Sequence, residues 1–204
     1  MMSKRPAAAR LAILIAAATV VACSGEQALV VSPRLDGAPP IGVVSNPAGA
    51  SIQPVSREVA LTVNDTFSFD VGPLGAIVRH SSTGLTILVP AAAVAAPTHI
   101  TVTALKGASL AYRFEPHGLH FAVPIQLTQS LRGIRLKQPL SVPQLFAGYF
   151  ADDSLPMDAA GNARVIEILP VQVDVKNGSA LLEIRHFSGY TVASAASDSL
   201  SGVR

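Results

Sequence analysis

The chain has 204 residues, of which 50% are hydrophobic and 14% are charged, and its formal net charge is +2. Three of the 15 basic residues and none of the 13 acidic ones lie within residues 1–22, so the remainder is nearly neutral and carries no Lys/Arg cluster. Nucleic-acid binding requires a basic surface that neutralises several phosphates, so this composition excludes it. About 180 further residues are enough for one domain with a sizeable core.

The first 22 residues have the three-part order of a secretory signal peptide. Lys4, Arg5 and Arg10 give a positive start, and residues 11–22 are apolar except for Thr19. A membrane-spanning helix needs roughly 20 apolar residues, and this run ends before that length. The sequence therefore predicts a cleaved signal peptide at residues 1–22.

The next feature is a motif around the only cysteine of the chain. Val20-Val21-Ala22-Cys23 resembles the bacterial lipobox, which implies a thioether-linked diacylglyceryl group and an acyl chain such as palmitate on Cys23. Two or more acyl chains anchor a protein stably, whereas one holds it marginally. The resemblance implies a lipid anchor in the cell envelope, and Ser24 in place of Asp favours the outer membrane in a Gram-negative cell. The alternative is an ordinary signal peptide followed by an incidental cysteine.

Residues 23–57 show little periodicity and are rich in proline and glycine, which is typical of a flexible tether. From residue 58 to 194, short apolar runs alternate with turn residues. The last segment, 195–204, is rich in small polar residues, which predicts a disordered tail.

The middle segment predicts an all-β, antiparallel β-sandwich, because its runs of β-branched and aromatic residues recur at close spacing with no competing helical period. Asn177-Gly178 favours a tight type I′ turn in the last hairpin. The predicted strands are Val59–Val63, Thr66–Val71, Ala76–Val78, Leu85–Val89, His99–Leu105, Leu110–Phe114, His120–Thr128, Leu145–Phe150, Ala163–Ile168, Val171–Val175 and Ala180–His186 with a continuation through Tyr190–Ala193.

A more specific pattern covers residues 70–195. Gly75-Ala76-Ile77, the strand that ends at Val89-Pro90, and Pro116-His117-Gly118-Leu119-His120-Phe121-Ala122-Val123-Pro124-Ile125-Gln126-Leu127 together resemble the ZU-five domain of zonula occludens proteins, netrin receptors and ankyrins. Val89 departs from the isoleucine of that family, and Ala91-Ala92 departs from its Pro-Gly. The resemblance implies a β-sandwich used for protein–protein contacts.

The same resemblance includes His186-Phe187-Ser188, since some eukaryotic relatives cleave themselves between Phe and Ser of such a motif. It implies that Ser188 Oγ attacks the carbonyl of Phe187 in a strained peptide, while His186 accepts or directs the hydroxyl proton. Strand parity predicts His186 and Ser188 on the same inward face as Leu182 and Ile184. The alternative is a hydrogen-bonded core pair of His186 and Ser188 that only completes the last strand.

Two other groups of polar residues have features of metal sites. His117 and His120 have a metal-like spacing but lack further ligands, because His80 and His99 fall on other strands. Asp152, Asp153 and Asp158 are oxygen-rich but fit no calcium-loop spacing, so an acidic hairpin loop is expected.

The sequence contains no nucleophile elbow, phosphate loop or zinc-protease motif. It therefore predicts no cofactor, no metal, no small-molecule substrate and no enzyme acting on an external substrate. The expected function is a lipid-anchored envelope module for protein interaction or structure, with a membrane and an unidentified protein or envelope component as partners. The alternative function is self-processing at Phe187–Ser188.

Overall fold

The computed structural model describes residues 44–136 and 145–196, with side chains from 49 to 136 and from 145 to 194. Cys23 and the predicted signal peptide lie outside the described residues. No helix in this part of the chain is long and apolar enough to cross a membrane. The strands are β1 (Val44–Pro54), β2 (Ser56–Leu61), β3 (Asp65–Val71), β4 (Ala76–His80), β5 (Leu85–Val89), β6 (Thr98–Ala104), β7 (Gly107–Ser109), β8 (Ala111–Glu115), β9 (His120–Ser130), β10 (Ile134–Arg135), β11 (Phe146–Phe150), β12 (Ala163–Pro170), β13 (Gln172–Asp174), β14 (Ser179–His186) and β15 (Gly189–Ala196).

The strands form three sheets in which every pairing is antiparallel. The large sheet has the order β1-β12-β11-β15-β8-β6-β3, the second sheet has the order β13-β14-β9-β5-β4, and a small sheet has the order β10-β2-β7. Alternate residues of the two larger sheets are buried in one shared core, for example Ile87, Ile125 and Ile184 against Ile100 and Phe114. The predicted all-β class with antiparallel sheets is confirmed, and the two-layer packing is consistent with a sandwich.

The first strand lies where the sequence predicted a tether. β1 pairs with β12 and also with β15, so these three strands and β11 close into a ring. Ile52 of β1 is fully buried with Val165 and Ile168. The predicted tether at 23–57 is therefore wrong from Val44 onward, and the predicted domain start at 58 is too late. A register shift between Ser45 and Ala50 disguises the strand, because it interrupts the alternation in the sequence.

The last two strands belong to different sheets. β14 pairs with β9 in the second sheet, whereas β15 pairs with β8 and β11 in the large sheet. Phe187 and Ser188 form the corner at which the chain crosses between the layers. The predicted continuation of β14 as one strand through Tyr190–Ala193 is therefore wrong, because parity holds only within one pleated strand. β15 also runs to Ala196, two residues into the predicted tail, and the rest of 195–204 lies outside the described residues.

The predicted hairpin around Asn177-Gly178 is confirmed with a different turn. Asp174 pairs with Ser179, so the loop has four residues rather than two. Gly178 has a φ of 60°, but Asn177 does not have the positive φ that a type I′ turn needs. The side chain of Asp174 accepts a hydrogen bond from the backbone N–H of Asn177 instead, which stabilises the longer loop.

Candidate functional site

The corner between β14 and β15 brings Phe187 and Ser188 into the interior. Each of these two residues is only 1% exposed. The ring of Phe187 stacks on Phe114 at 5.2 Å between centroids and packs in a T-shaped arrangement with Phe121 at 4.7 Å between centroids. The Phe187–Ser188 peptide is therefore fixed by a buried aromatic anchor between the two sheets.

Ser188 and His186 do not contact each other, contrary to the prediction. Ser188 Oγ lies 3.2 Å from Nδ1 of His117 and 3.1 Å from the carbonyl oxygen of Phe150. His186 Nδ1 lies 3.3 Å from the hydroxyl oxygen of Tyr190 instead. The predicted shared inward face and the predicted core pair are both wrong, because the chain changes sheets between the two residues.

The carbonyl of Phe187 also has a specific partner. Its oxygen accepts a hydrogen bond of 3.0 Å from the backbone N–H of Gly118, and the Phe187 N–H donates to Leu119 O at 2.8 Å. Gly118 has a φ of 75°, which a glycine adopts without strain, and it follows a cis Glu115–Pro116 bond. The loop 116–119 therefore holds both ends of Phe187.

His117 is the residue that sequence reasoning missed. It was considered only as a metal ligand with His120, and 71 positions separate it from Ser188 in the sequence. The loop 116–119 and the corner are brought together only by the pairing of the sheets. Spacing along the chain could not reveal this contact.

A small polar cleft of about 180 Å³ opens beside Ser188 and His117. Arg113 lines this cleft and forms ion pairs with Glu115 at 3.4 Å and with Asp153 at 3.3 Å. Solvent therefore has space next to the buried hydroxyl.

The acidic residues of the β11–β12 connection do not form the oxygen-rich group considered from the sequence. Asp152 and Asp153 line the cleft, whereas Asp158 accepts hydrogen bonds from the backbone N–H groups of Ala160 and Asn162. Hydrogen bonds from Asn162 hold the pKa of Asp158 below its usual value. Among the described residues, no group of three or more His, Cys, Asp or Glu side chains could hold a metal ion.

Backbone strain, which the resemblance implied, is not seen in the φ values of the corner. The one non-glycine residue with positive φ in the described segments is Ala92. Gly189 serves a different purpose, because a Cβ there would lie 2.1 Å from the ring of Phe150. Its missing side chain makes room for a buried aromatic ring.

His186 faces a second opening, on the outside of the molecule. The pairing of β9 with β14 is shifted between Ile184 and His186, where β9 contains Pro124. A groove of about 240 Å³ lies there, lined by Pro124, Glu167, Leu169, Pro170, Gln172, Leu181, Glu183, Arg185 and His186. His186 Nε2 lies 3.5 Å from Glu167 Oε2, and burial is the main cause that raises the pKa of the neighbouring Tyr190.

The outer strand of the second sheet forms another exposed feature. β4 pairs with β5 on one side, and no other strand of the described residues pairs with it. Leu74, just before β4, is 93% exposed and Ile77 within it is 61% exposed. Position 75 requires a glycine, because a Cβ there would lie 2.3 Å from the carbonyl oxygen of Val89.

Comparison with known proteins assigns no family to this arrangement. No protein-family model matches the chain, and no curated protein matches it.

Proposed function

We propose that this chain is a lipid-anchored envelope protein whose ZU-five-like sandwich binds a partner protein at the free edge of β4. The exposed apolar edge of β4 is the observation that carries the proposal. A strand at the end of a sheet presents unpaired N–H and C=O groups, and an extended segment of another chain can add to them. Leu74 and Ile77 supply apolar contacts beside that edge.

The lipid anchor gives this binding surface its location. The lipobox-like motif ends at Cys23, and the first described strand begins at Val44. The 20 residues between them span at most about 70 Å when extended. The anchor is tested by fractionation, in which wild type enters the membrane fraction and Cys23→Ser stays in the aqueous fraction.

The docking surface is tested by photo-crosslinking in living cells. A benzoylphenylalanine at Leu74 is expected to trap one protein, whereas the same group at Ile166, which is 43% exposed on β12, is expected to trap none. Ile77→Lys, combined with the Leu74 probe, is expected to abolish the product while the melting temperature stays unchanged. Equal products from Leu74 and Ile166, or an unchanged product with Ile77→Lys, would contradict docking at β4.

A second function, self-cleavage at Phe187–Ser188, is favoured by the contacts of the corner. Ser188 Oγ would attack the Phe187 carbonyl carbon, and His117 Nδ1 at 3.2 Å would accept the hydroxyl proton when it carries none of its own. The oxyanion would form where the Gly118 N–H already donates. The peptide C–N bond then breaks as the proton passes to the Ser188 amine, and water hydrolyses the ester on Oγ.

The carbonyl of Phe150 opposes this reaction. It lies 3.1 Å from Ser188 Oγ and competes with His117 for the same hydroxyl proton. When the hydroxyl donates to Phe150, Ser188 is an ordinary buried serine with its hydrogen bond satisfied. The rate of cleavage would depend on the fraction of time that Ser188 donates to His117.

Intact mass under denaturing conditions distinguishes these states, using residues 24–204, which include every described strand. If self-cleavage occurs, wild type yields a peptide that begins at Ser188, and both Ser188→Ala and His117→Gln stay whole. His186→Gln serves as the matched control and still cleaves, because His186 does not contact Ser188. A single intact wild-type chain would refute self-cleavage, whereas cleavage lost only in His186→Gln would refute the role of His117.

A further inference from the structure

The groove beside His186 combines an apolar floor with charges of both signs. Leu169 and Leu181 line it together with two prolines, and Glu167, Glu183 and Arg185 bring the charges. Its volume of about 240 Å³ suits a molecule of amino-acid size rather than a polymer. The proposed docking surface on β4 and the cleft at Ser188 do not involve these residues.

The groove exists because two strands stop pairing there. Pro124 has no N–H to donate, and the pairing of β9 with β14 shifts at this point. Pro170 ends β12 on the other side of the opening. Bulges of this kind turn side chains out of register, and here Arg185 and His186, which are adjacent in sequence, both line the groove.

Arg185 and Glu167 each have unused capacity to bind a charge. The side chain of Arg185 is exposed and forms no hydrogen bond or ion pair with any other residue that the structure describes. The side chain of Glu167 is 19% exposed, and within the described segments its one ion pair is with His186 at 3.5 Å. Although both residues line the groove, they do not pair with each other, so space between them is open to a ligand.

Glu183 is the other carboxylate of the groove, and it is already engaged. Its Oε1 accepts a hydrogen bond of 3.1 Å from Gln126 Nε2. It lies two positions before Arg185 on the outward face of β14, with the buried Ile184 between them on the inward face. Glu183 therefore contributes negative charge near the groove, while Glu167 is the carboxylate with the freer oxygens.

We propose that this groove binds an α-amino acid group, a ligand that carries an ammonium and a carboxylate on one carbon. Arg185 would bind the carboxylate through its planar fork of N–H donors, and Glu167 would accept hydrogen bonds from the ammonium. The side chain of the ligand would lie on Leu169, Leu181 and the prolines. Free amino acids carry this group, and so does the side-chain end of meso-diaminopimelate in a cell-wall peptide.

Calorimetric titration of residues 24–204 with L-leucine tests the need for both charges. Isoamylamine is leucine without its carboxylate, and 4-methylpentanoate is leucine without its ammonium. Leucine is expected to bind at least about tenfold more tightly than either, because one charge-assisted hydrogen bond is lost in each comparison. Equal binding of leucine and either half-molecule, or no binding of leucine, overturns the proposal.

Variants then assign the two charges. Arg185→Met is expected to weaken the binding of leucine at least about tenfold but to leave the binding of isoamylamine unchanged. Glu167→Gln is expected to weaken the binding of leucine but not that of 4-methylpentanoate. Arg79→Met is the matched control, because Arg79 lies on β4, three strands or roughly 14 Å across the same sheet. Equal weakening by Arg79→Met would refute the assignment.

The two sources of the ligand are separated by further titrations. Meso-diaminopimelate and a stem peptide that contains it are compared with free leucine. Tighter binding of the peptide than of leucine identifies a wall component, and tighter binding of leucine identifies a free amino acid. Since neither titration involves β4, failure here leaves the proposed docking function standing, and loss of β4 docking leaves this site standing.

Discussion

Replacement of Ile52 by alanine tests whether β1 is part of the folded domain. Ile52 has no solvent exposure and lies in a cluster with Val165, Ile168 and Ala193. Removal of a buried isoleucine side chain beyond Cβ costs about 2–5 kcal/mol through lost burial and the remaining cavity. A loss of about 3 kcal/mol would lower the melting temperature of a domain of this size by roughly 6–12 °C.

The matched control is Ile77→Ala, the same substitution at a side chain that is 61% exposed. It is expected to change stability by less than about 0.5 kcal/mol. Both variants are measured as residues 24–204 by urea unfolding followed by circular dichroism, with wild type alongside. If Ile52→Ala unfolds within about 0.5 kcal/mol of wild type, β1 does not contribute to the core and the ring of four strands is refuted.

Two further predictions concern the corner and an acidic loop. Gly189→Ala is expected to destabilise the domain by about 1–3 kcal/mol in urea unfolding, because the new Cβ overlaps the ring of Phe150. Gly72→Ala is the control, because no atom lies within 4 Å of a Cβ at that position. Equal effects of the two substitutions would disprove the overlap. Hydrogen bonds from Asn162 hold the folded-state pKa of Asp158 below its usual value, so its contribution to stability is present at higher pH and is lost as pH falls through that lowered pKa. The difference in stability between wild type and Asp158→Asn should therefore shrink on acidification, and a difference that grows below pH 4 would contradict it.

The regular strand β5 was predicted from the sequence with its exact bounds, whereas the irregular strand β1 was not predicted. Leu85–Val89 was predicted with the bounds of β5, because inward Leu85, Ile87 and Val89 alternate with half-buried residues. β1 was missed because a register shift and the residues Pro47 and Gly49 break its period. Alternation records which residues face the core but not where a strand shifts register.

The candidate site was located only in part. The motif His186-Phe187-Ser188 coincides with the corner between β14 and β15, but it named the wrong histidine as the neighbour of Ser188. The contact with His117 depends on the sheets to which β14 and β15 belong, and periodicity is the same for a strand that continues and for two strands joined by a corner. The groove at Pro124 was missed for a related reason, since a proline in the sequence marks an interruption without showing what opens beside it.

The pairing of β1 with β12 and β15 has a consequence for the order of folding. β1 is the first described strand to be synthesised, yet Ile52 pairs with Ala163 and Ala196, which are among the last. The entropy of closing such a long loop must be lost before the pairing contributes, which slows the final step of folding. If the chain is exported through a membrane, as proposed, this delay is an advantage, because the ring cannot close until the C-terminal strand has followed the N-terminal one across.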